Sequence, residues 1–409
     1  MLAAIRSTLR FHRAPHAFLA RVARESGDIG SFQLGRRQAF LVNHPDLIRA
    51  VLVDHADGFG RGYLMRRAKR LLGEGLLTSE GCAHRRQRRA IQPTLSRARI
   101  QEHAPEITEQ VAVWRDRLTL GRPFDLLEEA AALTMEVIAR QLFGVELGRD
   151  LDRLTRELAI LTRWSPLIML PRMELLERLP FFSRISQALD RLDVIVRSQI
   201  DAARRRGGRH IIAHLVGHGG FESDDRLRDE VVTLFMAGHD TTAASLAWTL
   251  ILLARNRAVA ERLRDDQSGR FADAVVRESL RLYPPAVRTG HRALRAMEIG
   301  GVSVPAGAMV FVSPYATQRD PRWFSDPDSF RPERWLDQPV PSPLTYFPFG
   351  FGRRSCVGEH FARAVLLAAV TKLTVDWRFE LVGARLFAVR SFLTLKPARG
   401  TRMKPLAWD

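Results

Sequence analysis

The chain has 409 residues, 46% of them hydrophobic and 26% charged, with a formal net charge of +18 and only two cysteines. That composition describes a globular protein with a large core; it excludes a disordered chain, a disulfide scaffold and a cysteine-built zinc or iron–sulfur site. The positive charge is almost all arginine (lysine stands only at 69, 372, 396 and 404) and is spread along the chain without basic–aromatic interleaving, so an acidic protein is a more natural partner than nucleic acid.

No stretch reaches the roughly 18 uninterrupted apolar residues of a membrane span. Residues 1–13 lack the apolar core of a signal peptide or anchor, so the chain reads as soluble and cytoplasmic. No linker or repeat divides it, and residues 1–409 read as one domain. Residues 14–26 look helical, followed by a hairpin of strands 29–35 and 38–43. His44-Pro45 opens a helix with proline in its first turn. Residues 59–77, glycine-rich and basic, read as loop more than helix. Residues 81–93 are helical and put His84 and Arg88 at i, i+4 on one face, with Arg85, Arg86 and Arg89 pointing elsewhere. From 100 to 206 helical patterns alternate with breaks at 121–123, 144–148 and 166–171. The apolar run 164–171 is either a lid over a cavity or a buried connection.

Residues 224–256 form one long helical pattern, enough at roughly 1.5 Å per residue to cross a domain. In its middle stands Ala237-Gly-His-Asp-Thr-Thr242. Glycine and threonine are poor interior helix residues, and a polar break in an apolar helix marks either a kink or a site. Residues 271–282 are helical and hold Glu278 and Arg281 at i, i+3. Residues 298–307, after His291-Arg292, read as strand–turn–strand. Residues 387–404 are strand-like, with Leu393 at a hairpin tip.

The most informative stretch is Phe349-Gly-Phe-Gly-Arg-Arg-Ser-Cys-Val-Gly358, directly before the helical pattern 359–370. Arginines, free backbone N–H groups and a helix N-terminus all favour an ionised thiol at Cys356. Such a thiolate suits a nucleophile, a structural thiol or a metal ligand. The spacing Phe349-x-x-Gly352-x-Arg354-x-Cys356-x-Gly358 would arise by accident in on the order of one chain in ten thousand of this length. It resembles the haem-ligand loop of the cytochrome P450 superfamily.

The resemblance covers nearly the whole chain and implies a mainly α fold with a small β-rich subregion and a long central helix over the haem. It implies haem b (iron protoporphyrin IX) with Cys356 as axial ligand of the iron. Ala237, Gly238, Phe349, Gly352, Arg354 and Gly358 would lie against the haem, and His84 and Arg88 would hold a propionate, unless they form a solvated basic face. His291 stands where the family usually has a propionate-binding arginine, a departure that leaves His291 or Arg292 for that contact. Asp240 would feed protons and Thr241 would supply the oxygen-side hydroxyl. Glu278 and Arg281, bridged by Arg334, would form a buried structural network.

The implied reaction inserts one atom of O2 into a lipophilic small molecule by hydroxylation or epoxidation. The chain has no flavin or nicotinamide domain, so electrons would come from external NAD(P)H through a ferredoxin reductase and a ferredoxin docking near Arg85, Arg86, Arg89 and Arg353. Leu64, Leu72, Thr233, Met236, Ala237, Val287 and Leu393 resemble pocket-lining positions, and a terpenoid, fatty acid or polyketide would suit so apolar a lining. The charge run Arg66, Arg67, Lys69, Arg70 is a solvated face or a carboxylate receiver. The chain is expected to act as a monomer. The competing readings are a peroxide-using or isomerising haem-thiolate enzyme and a non-catalytic haem-binding protein.

Overall fold

The computed structural model describes residues 2–144, 151, 153–158, 160–161, 180–219, 221–337, 342–383, 389–391 and 393–409. The chain folds as two compact units: Met1–Gly62, Ala104–Leu133 and Thr241–Asp409 make up the first, Tyr63–His103 and Thr134–Asp240 the second. The run 164–171 lies outside the described residues.

The first unit holds the sheets. Strands β1 (Ile29–Leu34), β2 (Arg37–Val42), β3 (Phe59–Arg61), β5 (Thr289–Ala293) and β8 (Met309–Val312) form one sheet in the order β1-β2-β8-β5-β3. The β2–β8 pair is parallel and the other pairs are antiparallel. Its apolar face, with Phe40, Val42, Val310 and Val312, packs against Ile48, Val51 and Leu52 and reaches Leu344 and Phe347. The hairpin β6 (Met297–Ile299)–β7 (Val302–Val304) matches the strand–turn–strand pattern. The C-terminal hairpin β10 (Val389–Ser391)–β11 (Leu395–Pro397) has Leu393 between its strands. A third sheet orders β4 (Phe124–Asp125), β12 (Arg402–Ala407) and β9 (Trp377–Val382); β9 continues directly from a helix and is not apparent in the sequence.

The helix Pro45–Arg49 starts where the proline places it, and the His44 ring accepts the Asp46 N–H at 3.3 Å. One segment adds to the sequence reading and another corrects it. Leu2–Arg13 is a helix, anchored by buried Phe11 against Phe18, Phe32 and Phe311. Within 59–77, taken for loop, Tyr63–Leu72 is also a helix. Its glycines lie at the ends, and Ala68, Leu71 and Leu72 form the buried stripe that the surrounding arginines obscured.

The second unit is helical, with Gly81–Ile91, Pro180–Arg206 and Ile211–His218 as its other described complete helices. The helix Asp224–Arg255, 32 residues long, contributes to both units and is called the central helix below. Its C-terminal half is fixed in the first unit: Trp248 stacks on Tyr283 at 3.9 Å between centroids and donates to the Leu395 carbonyl at 3.0 Å.

Candidate active site

The central helix passes through Ala237–Thr242 without losing helical conformation. What changes there is accessibility. Residues 230–235 and 242–251 are buried, whereas Ala237 is exposed and Met236, Gly238, Asp240 and Thr241 are partly exposed. Gly238 keeps the helix close to its neighbour, since a Cβ there would stand 3.0 Å from the Ile138 side chain. The local polar groups are engaged. The Thr134 hydroxyl donates to the His239 carbonyl at 3.1 Å, His239 Nδ1 lies 3.1 Å from the Phe235 carbonyl, and the Ser245 hydroxyl donates to the Thr241 carbonyl at 3.0 Å. The last of these is a hydroxyl bonding back to the carbonyl one turn earlier in the helix.

Cys356 sits in a loop whose shape depends on two glycines with positive φ, Gly350 at 72° and Gly352 at 71°. At Gly352 a side chain would also collide with the backbone, because a Cβ would lie 2.6 Å from the Leu52 carbonyl oxygen. The Cys356 N–H donates to the Phe349 carbonyl at 2.8 Å, and the helix Glu359–Asp376 begins just beyond, with Gly358 as its N-cap. The backbone of Cys356 is therefore pinned while its residue is exposed. Free cysteine is ordinarily among the most buried residue types.

In the same unit, β5 separates His291 from Arg292. Register pairs His291 with Arg61 and Val310, whereas Arg292 pairs with Gly60 and Met309, so the two side chains lie on opposite faces of the sheet. His291 is held well below its ordinary pKa, at about 4, by burial first and then by the Arg61 and Arg354 guanidiniums. Arg354 is two residues from Cys356, so His291 is on the side of the cysteine loop. Its Nε2 lies 3.0 Å from the Thr289 hydroxyl. Arg61 did not stand out in the sequence; pairing β3 with β5 is what brings it beside His291.

His84 is buried and Arg88 half-buried on the helix Gly81–Ile91, with Arg88 donating to Gln92 at 3.2 Å. Arg85, Arg86 and Arg89 are exposed as expected; Arg86 pairs with Glu222. Arg353 is also exposed and pairs with Asp57 at 2.8 Å. Among the positions expected to line a pocket, Ala237 and Leu393 are exposed and Met236 and Leu64 half-buried, whereas Leu72, Thr233 and Val287 are buried.

The buried network is centred differently from the expectation. Glu278 accepts from Arg281 Nε at 2.9 Å and Nη2 at 2.8 Å, and both residues are fully buried. Arg334 donates to Glu278 at 3.0 Å and otherwise to the Ser325 and Asp326 carbonyls. It does not bridge Glu278 to Arg281, because the carboxylate is the shared acceptor and two guanidiniums repel each other. The Arg331 N–H and Trp335 Nε1 also donate to Glu278, at 3.0 and 2.9 Å. Trp335, adjacent to Arg334, is the member that the sequence reading missed.

The family model described as Cytochrome P450 matches residues 4–385. The chain is 32% identical to the cyclooctatin synthase of Streptomyces melanosporofaciens, over 96% of this chain and 88% of that protein. It is 31% identical to the cyclooctat-9-en-7-ol 5-monooxygenase of the same organism, over 91% of this chain and 87% of that protein. It is 27% identical to the pentalenene oxygenase of Streptomyces avermitilis, over 90% of this chain and 87% of that protein. Among solved structures, a six-coordinated cytochrome P450 from Thermus thermophilus superposes with a TM-score of 0.78 at 26% identity, covering 96% of this chain and 98% of that one.

Proposed function

Because the chain belongs to the cytochrome P450 family, we propose that Cys356 is its haem-iron ligand and that its substrate is a terpenoid. The enzyme is a monooxygenase that uses haem and O2 with NAD(P)H-derived electrons delivered by redox partners. The observation that carries the ligand assignment is the exposed Cys356 on a pinned, glycine-shaped loop before a helix N-terminus.

The residues present suit a haem. A soft thiolate donor suits iron, and the cationic cluster of Arg61, Arg354 and neighbouring His291 suits propionate carboxylates. Among the described residues no group of three or more His, Cys, Asp or Glu offers a rival metal site. Bound there, the haem supplies oxygen activation, which a thiolate ligand favours by pushing electron density toward the O–O bond.

The chain's own groups do the rest. The helix N-terminus at Gly358 and the Arg354 guanidinium, two residues from Cys356, would favour a thiolate as the iron ligand. His84, Arg88, His291 and Arg354 hold the propionates, and Phe349 and Gly352 support the loop. Ala237 and Gly238 leave room beside the central helix. Thr241 Oγ1 holds a hydrogen-bonded water or hydroxyl in place, and Asp240 passes it a proton. Glu278, Arg281 and Arg334 hold the fold and stay out of the chemistry.

A terpenoid fits the names of three relatives and the apolar Leu64, Met236 and Ala237. A ferredoxin docking on Arg85, Arg86, Arg89 and Arg353 fits their exposure, and a monomer in the cytoplasm completes the reading. The test is a screen of terpene alcohols, terpene hydrocarbons, fatty acids and polyketides for a high-spin shift of the haem spectrum, followed by turnover with a ferredoxin and its reductase. A shift and hydroxylated product from a terpenoid are expected. A response confined to fatty acids or polyketides would contradict the substrate assignment.

A further inference from the structure

Between the helices Tyr63–Leu72 and Gly81–Ile91 the chain crosses the central helix as Gly73-Glu-Gly-Leu-Leu77, and it is held there by its backbone. The Glu74 N–H donates to Asp229 Oδ2 at 2.8 Å. The Leu76 N–H donates to both oxygens of Glu230, at 3.1 and 3.0 Å. Two glycines permit this approach. A Cβ on Gly73 would collide with the Asp229 carboxylate, and one on Gly75 would collide with Thr233 Oγ1. From its other side the segment is held by Gln87, which donates to the Glu74 carbonyl at 2.6 Å, and by Thr78, which donates to the Gly73 carbonyl at 2.7 Å. Lys69 and Arg226 pair with the Glu74 side chain at 2.6 and 3.5 Å.

Two features argue that this clasp does more than hold the fold. Glu230 is fully buried and, among the described residues, its carboxyl has the Leu76 N–H for a partner and no cation. A buried carboxyl spent on one amide is a poor stabiliser compared with an apolar side chain of similar size. What it does supply is register. The second feature is Thr233 Oγ1, which is sealed beneath Gly75 and, among the described residues, makes no hydrogen bond. Lifting the segment would let water reach that hydroxyl, so the closed position carries a cost that the open one does not. The accessible stretch of the central helix begins at Met236, under two turns beyond Glu230.

We propose that Asp229 and Glu230 are positioning residues that clasp the Gly73–Leu77 backbone to the central helix, and that this clasp selects which bulky substrates enter beside Met236 and Ala237. The inference rests on the monooxygenase reading above for its meaning, and the clasp itself can be read without it.

The experiment uses the haem-loaded protein and three variants. Glu230→Leu removes the acceptor, Glu230→Gln keeps one, and Gly75→Ala pushes the segment off while leaving Glu230 intact. Hydrogen exchange at the Glu74 and Leu76 amides reads the clasp directly. Binding of a bulky aryl-imidazole, clotrimazole, against imidazole itself reads selection, because only the former needs space beyond the iron. Loss of the clasp should quicken exchange and weaken clotrimazole each by about ten-fold or more in Glu230→Leu and Gly75→Ala. Imidazole affinity should stay unchanged and Glu230→Gln should behave as the parent. Unchanged exchange in both disruptive variants would overturn the clasp, and equal weakening of both ligands would reduce it to a purely structural contact. If the protein takes up no haem, the exchange arm still decides the clasp while the monooxygenase reading fails separately.

Discussion

Glu278 and Arg281 meet side by side through two hydrogen bonds, at 2.9 and 2.8 Å, with neither residue exposed to solvent. Arg281 uses its remaining capacity on the Gln318, Pro327 and Ser329 carbonyls. The pair thus ties the helix Arg270–Leu282 to the segment around residues 318–335. Removing Glu278 strands the buried Arg281 charge, at a cost of about 3–5 kcal/mol, and removing Arg281 takes two charge-assisted hydrogen bonds from buried Glu278 and leaves it with Arg334. Glu278→Ala and Arg281→Ala should therefore lower the denaturation midpoint sharply or abolish soluble expression. Trp335→Phe, which deletes one of the donors to Glu278, should cost about 1–2 kcal/mol in denaturant melts.

Asp240 and Thr241 lie on the accessible stretch of an otherwise buried helix. If they deliver protons, Thr241→Ala and Asp240→Asn should keep the spectrum of a thiolate-ligated haem but lower product formation by about a hundredfold. NAD(P)H oxidation should continue, with its electrons appearing as hydrogen peroxide. Product yield per NAD(P)H measures this. An unchanged yield in both variants would remove them from the mechanism.

His16 provides a pH signature away from the site. Burial first, then the Arg319 and Arg288 guanidiniums, hold its pKa down at about 4, so the folded protein keeps the ring neutral where the unfolded chain would protonate it. The unfolded state then binds more protons between about 4 and 6.5, and stability must rise with pH across that window and be lost as pH falls through it. His16→Gln should flatten this part of the curve in melts taken from pH 4 to 7.

Glu230 has the opposite slope. Burial chiefly, with a smaller contribution from neighbouring Asp229, raises its pKa to about 8, against the lowering effect of the Leu76 N–H. The folded state holds a proton that the unfolded state releases between about 4.5 and 8, so this residue's contribution is complete below that window and is lost as pH rises through it. Glu230→Gln should gain on the parent in melting temperature as pH increases from 5 to 8.

Much of this was legible in the residues, for reasons that differ by element. The central helix announced itself because thirty-odd residues of apolar periodicity have no other stable form, and its polar interruption marked the accessible stretch. Cys356 stood out because the spacing of Phe349, Gly352, Arg354, Cys356 and Gly358 resembles the haem-ligand loop of the cytochrome P450 family. The helix Tyr63–Leu72 was hidden because a short buried stripe lies among arginines and between glycines that read as loop. Contacts between residues far apart in the chain were legible only where the family resemblance implied them, as for Arg334 on Glu278. Arg61 beside His291, Trp335 on Glu278, and Asp229 and Glu230 on the Gly73–Leu77 backbone depend on strand register and chain path.

The most direct test of the central assignment is the Soret band of the reduced protein under carbon monoxide, compared with that of Cys356→Ser. Thiolate ligation by Cys356 requires the strongly red-shifted band in the parent and its loss in the variant, with haem still bound. A parent protein without that band, or a serine variant that keeps it, would contradict ligation of the iron by this sulfur.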